Sequence, residues 1–104
     1  MINGVNYLLK IVIYYQQKEC EMLDHAISFV NKIIGSLQKT HEILGVFFDH
    51  YGEREEFYNF INSNPKQVDV IFLTKSLEDE FDQRLLEEFA RAEKIQIKFI
   101  HDEG

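Results

Sequence analysis

At 104 residues, 45% of them hydrophobic and 13% aromatic, the chain is long enough for one domain with one packed core and too apolar for a disordered segment. Eleven basic residues face eighteen acidic ones, a formal charge of −7, which opposes a nucleic-acid surface because phosphate neutralisation supplies most of that affinity. The single cysteine, Cys20, excludes an internal disulfide and a CxxC metal pair.

The elements follow in chain order. Tyr7 to Tyr15, YLLKIVIYY, is a short apolar run rich in β-branched and aromatic residues, and it predicts a buried strand. Lys18 to Lys39 places Leu23, Ala26, Ile27, Val30, Ile33, Ile34 and Leu37 at three- and four-residue spacing, one face of an amphipathic helix. Phe29 and Met22 fall off that stripe. Residues 41–49 hold Ile-Leu-Gly-Val-Phe-Phe, a second strand, and Tyr51-Gly52 is a turn. Glu53 to Asn62 predicts a second helix burying Phe57, Phe60 and Ile61, with Tyr58 beside them, and Asn64-Pro65 ends it.

Val68 to Thr74, VDVIFLT, is apolar on both faces apart from Asp69, so it should be the most buried strand. Ser76-x-x-Asp79 resembles a capping box. The helix after it, to about Lys94, should bury Phe81, Leu85, Leu86, Phe89 and Ala90, with the acids of residues 78–82 as a solvated helix start or a contact for a basic partner. Ile95 to Ile100 closes the pattern as a strand. The β-α-β-α-β-α-β alternation predicts a single domain over residues 1–104, a three-layer α/β/α sandwich with a four-stranded, mainly parallel sheet.

Four motifs carry a resemblance: Gly45-Val-Phe-Phe-Asp49, Arg54-x-x-Phe57-x-x-Phe60 at a helix head, VDVIFLTKSL at 68–77, and Ile97-Lys-Phe-Ile-His-Asp-Glu103. In this order they resemble the catalytic domain of serine recombinases, the resolvases and invertases. The resemblance implies a resolvase-like topology with strand order 2-1-3-4 and a bacterial or phage source. The family keeps an arginine and a nucleophilic serine on its first strand; aligned from Lys10-Ile11, those positions hold Tyr15 and Gln17. A glutamine amide is no nucleophile for phosphoryl transfer. The arginine of the family's second helix head is matched by Arg54. Two further arginines, after the third strand, are replaced by Asp79 and Asp82, which inverts the charge offered to a phosphate. The family's long dimerisation helix and DNA-binding segment have no counterpart in these 104 residues.

These readings predict a non-catalytic interaction or regulatory module. Its partner would be a protein, either a recombinase or a second copy in a weak homodimer, and not DNA or a membrane. No run of about 20 apolar residues and no signal-peptide pattern is present, so a cytoplasmic location is expected. The competing expectation is a small ligand-binding domain or enzyme using polar groups at the carboxyl edge of the sheet: Tyr15, Gln17, Asp49, Arg54 and His101. Tyr14, Tyr15, Gln16 and Gln17 occupy the first strand-to-helix turn, where such a ligand would sit. His50 beside Asp49 and His101 beside Asp102 suggest a metal. The implied strand order separates them by about 14 Å, at ~4.8 Å per strand, so solvated strand ends explain them better and no metal is expected. Cys20, flanked by Glu19 and Glu21, reads as an ordinary thiol. No GxGxxG or P-loop is present, and no cofactor is expected.

Overall fold

A computed structural model describes residues 8–63 and 67–100. The elements are β1 (Leu9–Gln16), α1 (Leu23–Leu37), β2 (His41–Asp49), α2 (Glu55–Asn62), β3 (Val70–Leu73), α3 (Glu80–Glu93) and β4 (Gln96–Phe99). All pairings are parallel and the strand order is β2-β1-β3-β4. The α/β class, the four-stranded parallel sheet and the 2-1-3-4 order therefore agree with the sequence reading. Tyr7, the Asn64-Pro65 break and the His101-Asp102-Glu103 cluster lie outside the described residues.

Parallel strands need helical crossovers, and the crossovers cover both faces of the sheet. On one face, α1 packs Ala26, Phe29, Val30 and Ile33 against Ile11, Ile13, Tyr15, Val70 and Phe72. On the other, α2 and α3 pack Phe57, Phe60, Leu86 and Ala90 against Val12, Tyr14, Ile71 and Leu73. Burying a side chain the size of Phe57 or Phe60 contributes about 1.5–3 kcal/mol, so this second face is the heavier half of the core. All four residues of β3 are buried, as its two-sided apolar pattern predicts.

Four local expectations are corrected. Phe29, off the apolar stripe, is partly buried rather than exposed: its ring meets Tyr15 edge-on at 5.7 Å. The buried stripe of α1 runs through Ala26, Val30 and Ile33, so Leu23 and Ile27 overhang the sheet beyond β2 and stay exposed. Phe81 is 67% exposed, because the buried stripe of α3 is Asp82-Leu86-Ala90, rotated by one residue from the apolar pattern. The cap of α3 is Asp79, whose Oδ1 accepts from the Asp82 amide at 3.1 Å, and not Ser76. The loop before it is tied back by Gln83, whose side chain accepts from the Leu77 amide at 2.8 Å.

β1 and β2 are not in simple register. Ile11 pairs with Ile43 and Val12 with Gly45, so Leu44 is an extra residue, a bulge in the edge strand. After it, Val46 and Phe48 share the α1 side while Phe47 and Asp49 share the α2 side.

Candidate functional site

The carboxyl ends of β1, β2 and β3 meet the amino ends of α2 and α3, and a cleft of about 220 Å³ opens there. Its walls are Tyr14 and Gln16 from β1, Tyr51, Gly52 and Arg54 from the turn into α2, Phe57, and Leu77, Glu78, Asp79 and Asp82 around the start of α3.

Alternation along β1 decides which side chains reach the cleft. Val12, Tyr14 and Gln16 face α2 and α3, whereas Tyr15 and Gln17 face α1. Tyr15 is buried between Phe29 and Phe48, and its hydroxyl donates to Glu21 at 2.7–2.8 Å. Gln17 bonds the Glu21 carbonyl at 2.7 Å and accepts from the Tyr51 amide at 3.3 Å, tying two turns together. Neither faces the cleft, which corrects their assignment as ligand-edge residues by one position.

Asp49 is also corrected. It is only 2% exposed, not a solvated strand end. Its carboxylate accepts from the Tyr14 hydroxyl at 2.7 Å and from the amides of Glu56 and Phe57 at 2.9 and 3.0 Å. Those amides belong to the first turn of α2, whose own cap residue, Arg54, offers no side-chain acceptor. Asp49 therefore caps α2 from a neighbouring strand. Burial, with the bond to Asp49 adding to it, pushes the Tyr14 phenol far above its ordinary pKa.

Arg54 lies in the cleft wall. Its guanidinium contacts Asp79 at 2.5 Å and Asp82 at 3.4 Å, and stacks over the Tyr58 ring at 5.7 Å. Asp82 is 2% exposed and accepts from the Tyr58 hydroxyl at 2.7 Å, so the acid run at 78–82 is not a wholly solvated helix start. The charge of Asp82, and after it Tyr58, raises the Arg54 pKa. The Asp82 amide, donating to the Asp79 carboxylate, holds Asp79 below the usual carboxylate range. The bond to Asp82 raises the Tyr58 phenol. The two acids that stand where the resemblance expects arginines thus hold the one arginine that it retains.

Of the five residues singled out from sequence, Arg54 lines the cleft, Asp49 lies beneath it, Tyr15 and Gln17 face away, and His101 falls outside the described residues. Tyr14 and Gln16, named with the first strand-to-helix turn but not among the five, do line the cleft, whereas Tyr58 and the burial of Asp82 were missed. The four-residue spacing of Arg54 and Tyr58 on one helix face was the available signal for Tyr58. Among the described residues, no three His, Cys, Asp or Glu side chains converge as a metal site, and no helix is long and apolar enough to cross a membrane.

No protein-family model matches the sequence, and no curated protein matches it significantly. Among solved structures, the chain is similar to the C-terminal catalytic domain of ISC1926 TnpA, an IS607-like serine recombinase. The TM-score is 0.68 over 91% of this chain and 71% of that one, at 14% sequence identity. The two share a fold: this chain is built like a serine recombinase catalytic domain.

Proposed function

We propose that the chain is a non-catalytic, recombinase-fold interaction module of a bacterium or phage, and that its cleft receives a basic side chain from a partner protein. One observation carries this reading. Glu78, Asp79 and Asp82 line the cleft, and its one cation, Arg54, is already held by two of them. Strand cleavage at a phosphodiester needs a nucleophile and cations free to stabilise an anionic transition state. A cleft with this charge repels phosphate. Its Tyr14 hydroxyl donates to a buried carboxylate and keeps its proton, so it is a poor nucleophile. The facing of β1 supports a register in which the family's first-strand arginine and serine correspond to Tyr14 and Gln16. That register restores neither group.

The test has two arms. In a gel shift at low salt, where electrostatic binding is strongest, duplex DNA should run free at micromolar protein. Salt-sensitive retention, or nicking of a supercoiled plasmid, would overturn the reading. In fluorescence anisotropy, an arginine-rich peptide should bind and its glutamate-rich counterpart should not. Glu78→Gln with Asp79→Asn should weaken the basic peptide several-fold.

A small-ligand role is the second reading, favoured because Tyr14, Gln16 and Tyr51 face a real concavity. At about 220 Å³ it falls below the ~300–1,000 Å³ usual for ligand pockets. A stoichiometric adduct in native mass spectrometry, lost in Gln16→Ala, would decide for it.

A further inference from the structure

Among the described residues, three acids line the cleft, Glu78, Asp79 and Asp82, and each already has a cation. Lys75 holds Glu78 at 3.1 Å, between two exposed side chains. Arg54 holds the other two, Asp79 through Nη1 and Asp82 through Nε. The fold fixes one oxygen of each of those acids. Asp79 Oδ1 accepts from the Asp82 amide at 3.1 Å, and Asp82 Oδ1 accepts from the Tyr58 hydroxyl at 2.7 Å. Their Oδ2 atoms are the ones that meet the guanidinium, which also lies over the Tyr58 ring. Two carboxylate oxygens beside an aromatic face suit a planar guanidinium with several donors better than a compact ammonium.

Arg54 fills this receptor loosely. Its Nε stands 3.4 Å from Asp82, beyond the ~2.7–2.9 Å of a charge-assisted bond. It belongs to the cap residue of α2, whose backbone is not helical, so its side chain can leave without opening a helical turn. The side chains of Arg54 and Asp79 are 42% and 41% exposed, and an ion pair so wet holds weakly.

We propose that Arg54 is a built-in competitor for the cleft, and that a partner's arginine enters by displacing it from Asp79, Asp82 and Tyr58. This rests on the reading of the cleft as a receptor for a basic side chain. It adds that the side chain is arginine and that the resting cleft is occupied. Charge forces the exchange, because a second cation beside a seated Arg54 meets a like charge and no unpaired lining acid. The exchange also keeps a cation on Asp82, which is too buried to lose one cheaply. A seat taken about nine-tenths of the time lowers the apparent affinity about tenfold.

Fluorescence anisotropy reads the competition. Arg54→Ala should bind an arginine-rich peptide about tenfold more tightly than the wild type, with far-UV circular dichroism unchanged. Lys75→Ala removes the same charge from the same cleft but leaves Arg54 seated, and should gain no more than about threefold. In Arg54→Ala, a lysine-rich peptide of equal length and charge should bind several-fold more weakly than the arginine-rich one. Millimolar methylguanidinium should raise the thermal midpoint of Arg54→Ala and not that of the wild type, and methylammonium should move neither. If Arg54→Ala does not fold, Arg54→Gln, which loses the charge but keeps a donor for Asp82, should show the same gain. Binding to the wild type that these variants leave unchanged or weaken would overturn the displacement while leaving the cleft a site for basic residues. A gain matched by Lys75→Ala, or equal binding of the two peptides, would overturn it in the same way by reducing the effect to net charge. No binding to the wild type or to any variant would overturn both readings.

Discussion

Replacing Asp49 by alanine should unfold this domain far more readily than any change at a solvated strand end. The substitution removes three hydrogen bonds at once: one from the Tyr14 hydroxyl and two from the first-turn amides of α2. Loss of the capping carboxylate costs about 1 kcal/mol. Leaving a buried tyrosine hydroxyl without its acceptor adds about 1–3 kcal/mol. A total of about 2–4 kcal/mol is a large share of the ~5–15 kcal/mol that holds a domain folded. Urea unfolding followed by circular dichroism is the assay, and a slope of ~1–1.5 kcal/mol per molar would lower the midpoint by about 1.3–4 M. Asp49→Asn keeps the shape and one acceptor oxygen, so it should lose roughly half as much. In a double-mutant cycle with Tyr14→Phe, the coupling should be about 1–2 kcal/mol. A loss below about 0.5 kcal/mol for Asp49→Ala, or strict additivity with Tyr14→Phe, would refute the capping argument and return Asp49 to the solvated edge.

Three further outcomes are expected. Lys94 closes α3 in the left-handed region at φ +60°, so Lys94→Gly should raise stability by about 0.5–1 kcal/mol in the same urea assay. Tyr14 gives a pH limb. Below pH ~10 its phenol is protonated in both states and stability does not change; above it only the unfolded chain ionises, so each pH unit should remove up to about 1.4 kcal/mol, and Tyr14→Phe should flatten that limb. Arg54→Met strips the cation from the buried Asp82 while sparing the Tyr58 bond, and should lower the thermal unfolding midpoint, by less than for a fully buried pair because Arg54 is half-exposed.

Why some of this was legible in the sequence and some was not follows from the residues. VDVIFLT announces itself as a central strand because both of its faces are apolar. The helices show their period, so class and order could be read. The cleft could not be read as well, for two reasons. In a sheet covered on both faces, alternation loses its polar half, and nothing in Tyr14-Tyr15-Gln16-Gln17 says which tyrosine faces which helix. Asp49 and Asp82 are carboxylates, and a carboxylate in a sequence reads as wet. Their burial depends on Tyr14, Tyr58, Arg54 and two amides that only the folded chain brings near. The rotated stripe of α3 has the same origin: with partners waiting for Asp82, the charge turns inward and Phe81 turns out.

The position of β1 in the sheet has a consequence for how the chain is made. Both neighbours of β1, β2 and β3, come later in the sequence. During synthesis its five buried residues, Ile11 to Tyr15, wait for roughly 60 more residues before β3 arrives, about 3–12 s at ~5–20 residues per second. Over that interval IVIYY, an uncharged, β-prone segment, can gain α1 and β2 but keeps one edge without its β3 partner, the kind of segment that pairs with other chains. Lys10 at its head is the nearest charge that discourages this, and in the finished fold the same lysine bonds Gln67 and, through its amide, Asp69. A stalled ribosome anywhere in α2 would therefore expose the stickiest part of the molecule, and chaperone demand should track translation speed over residues 50–75 more closely than the stability of the folded domain.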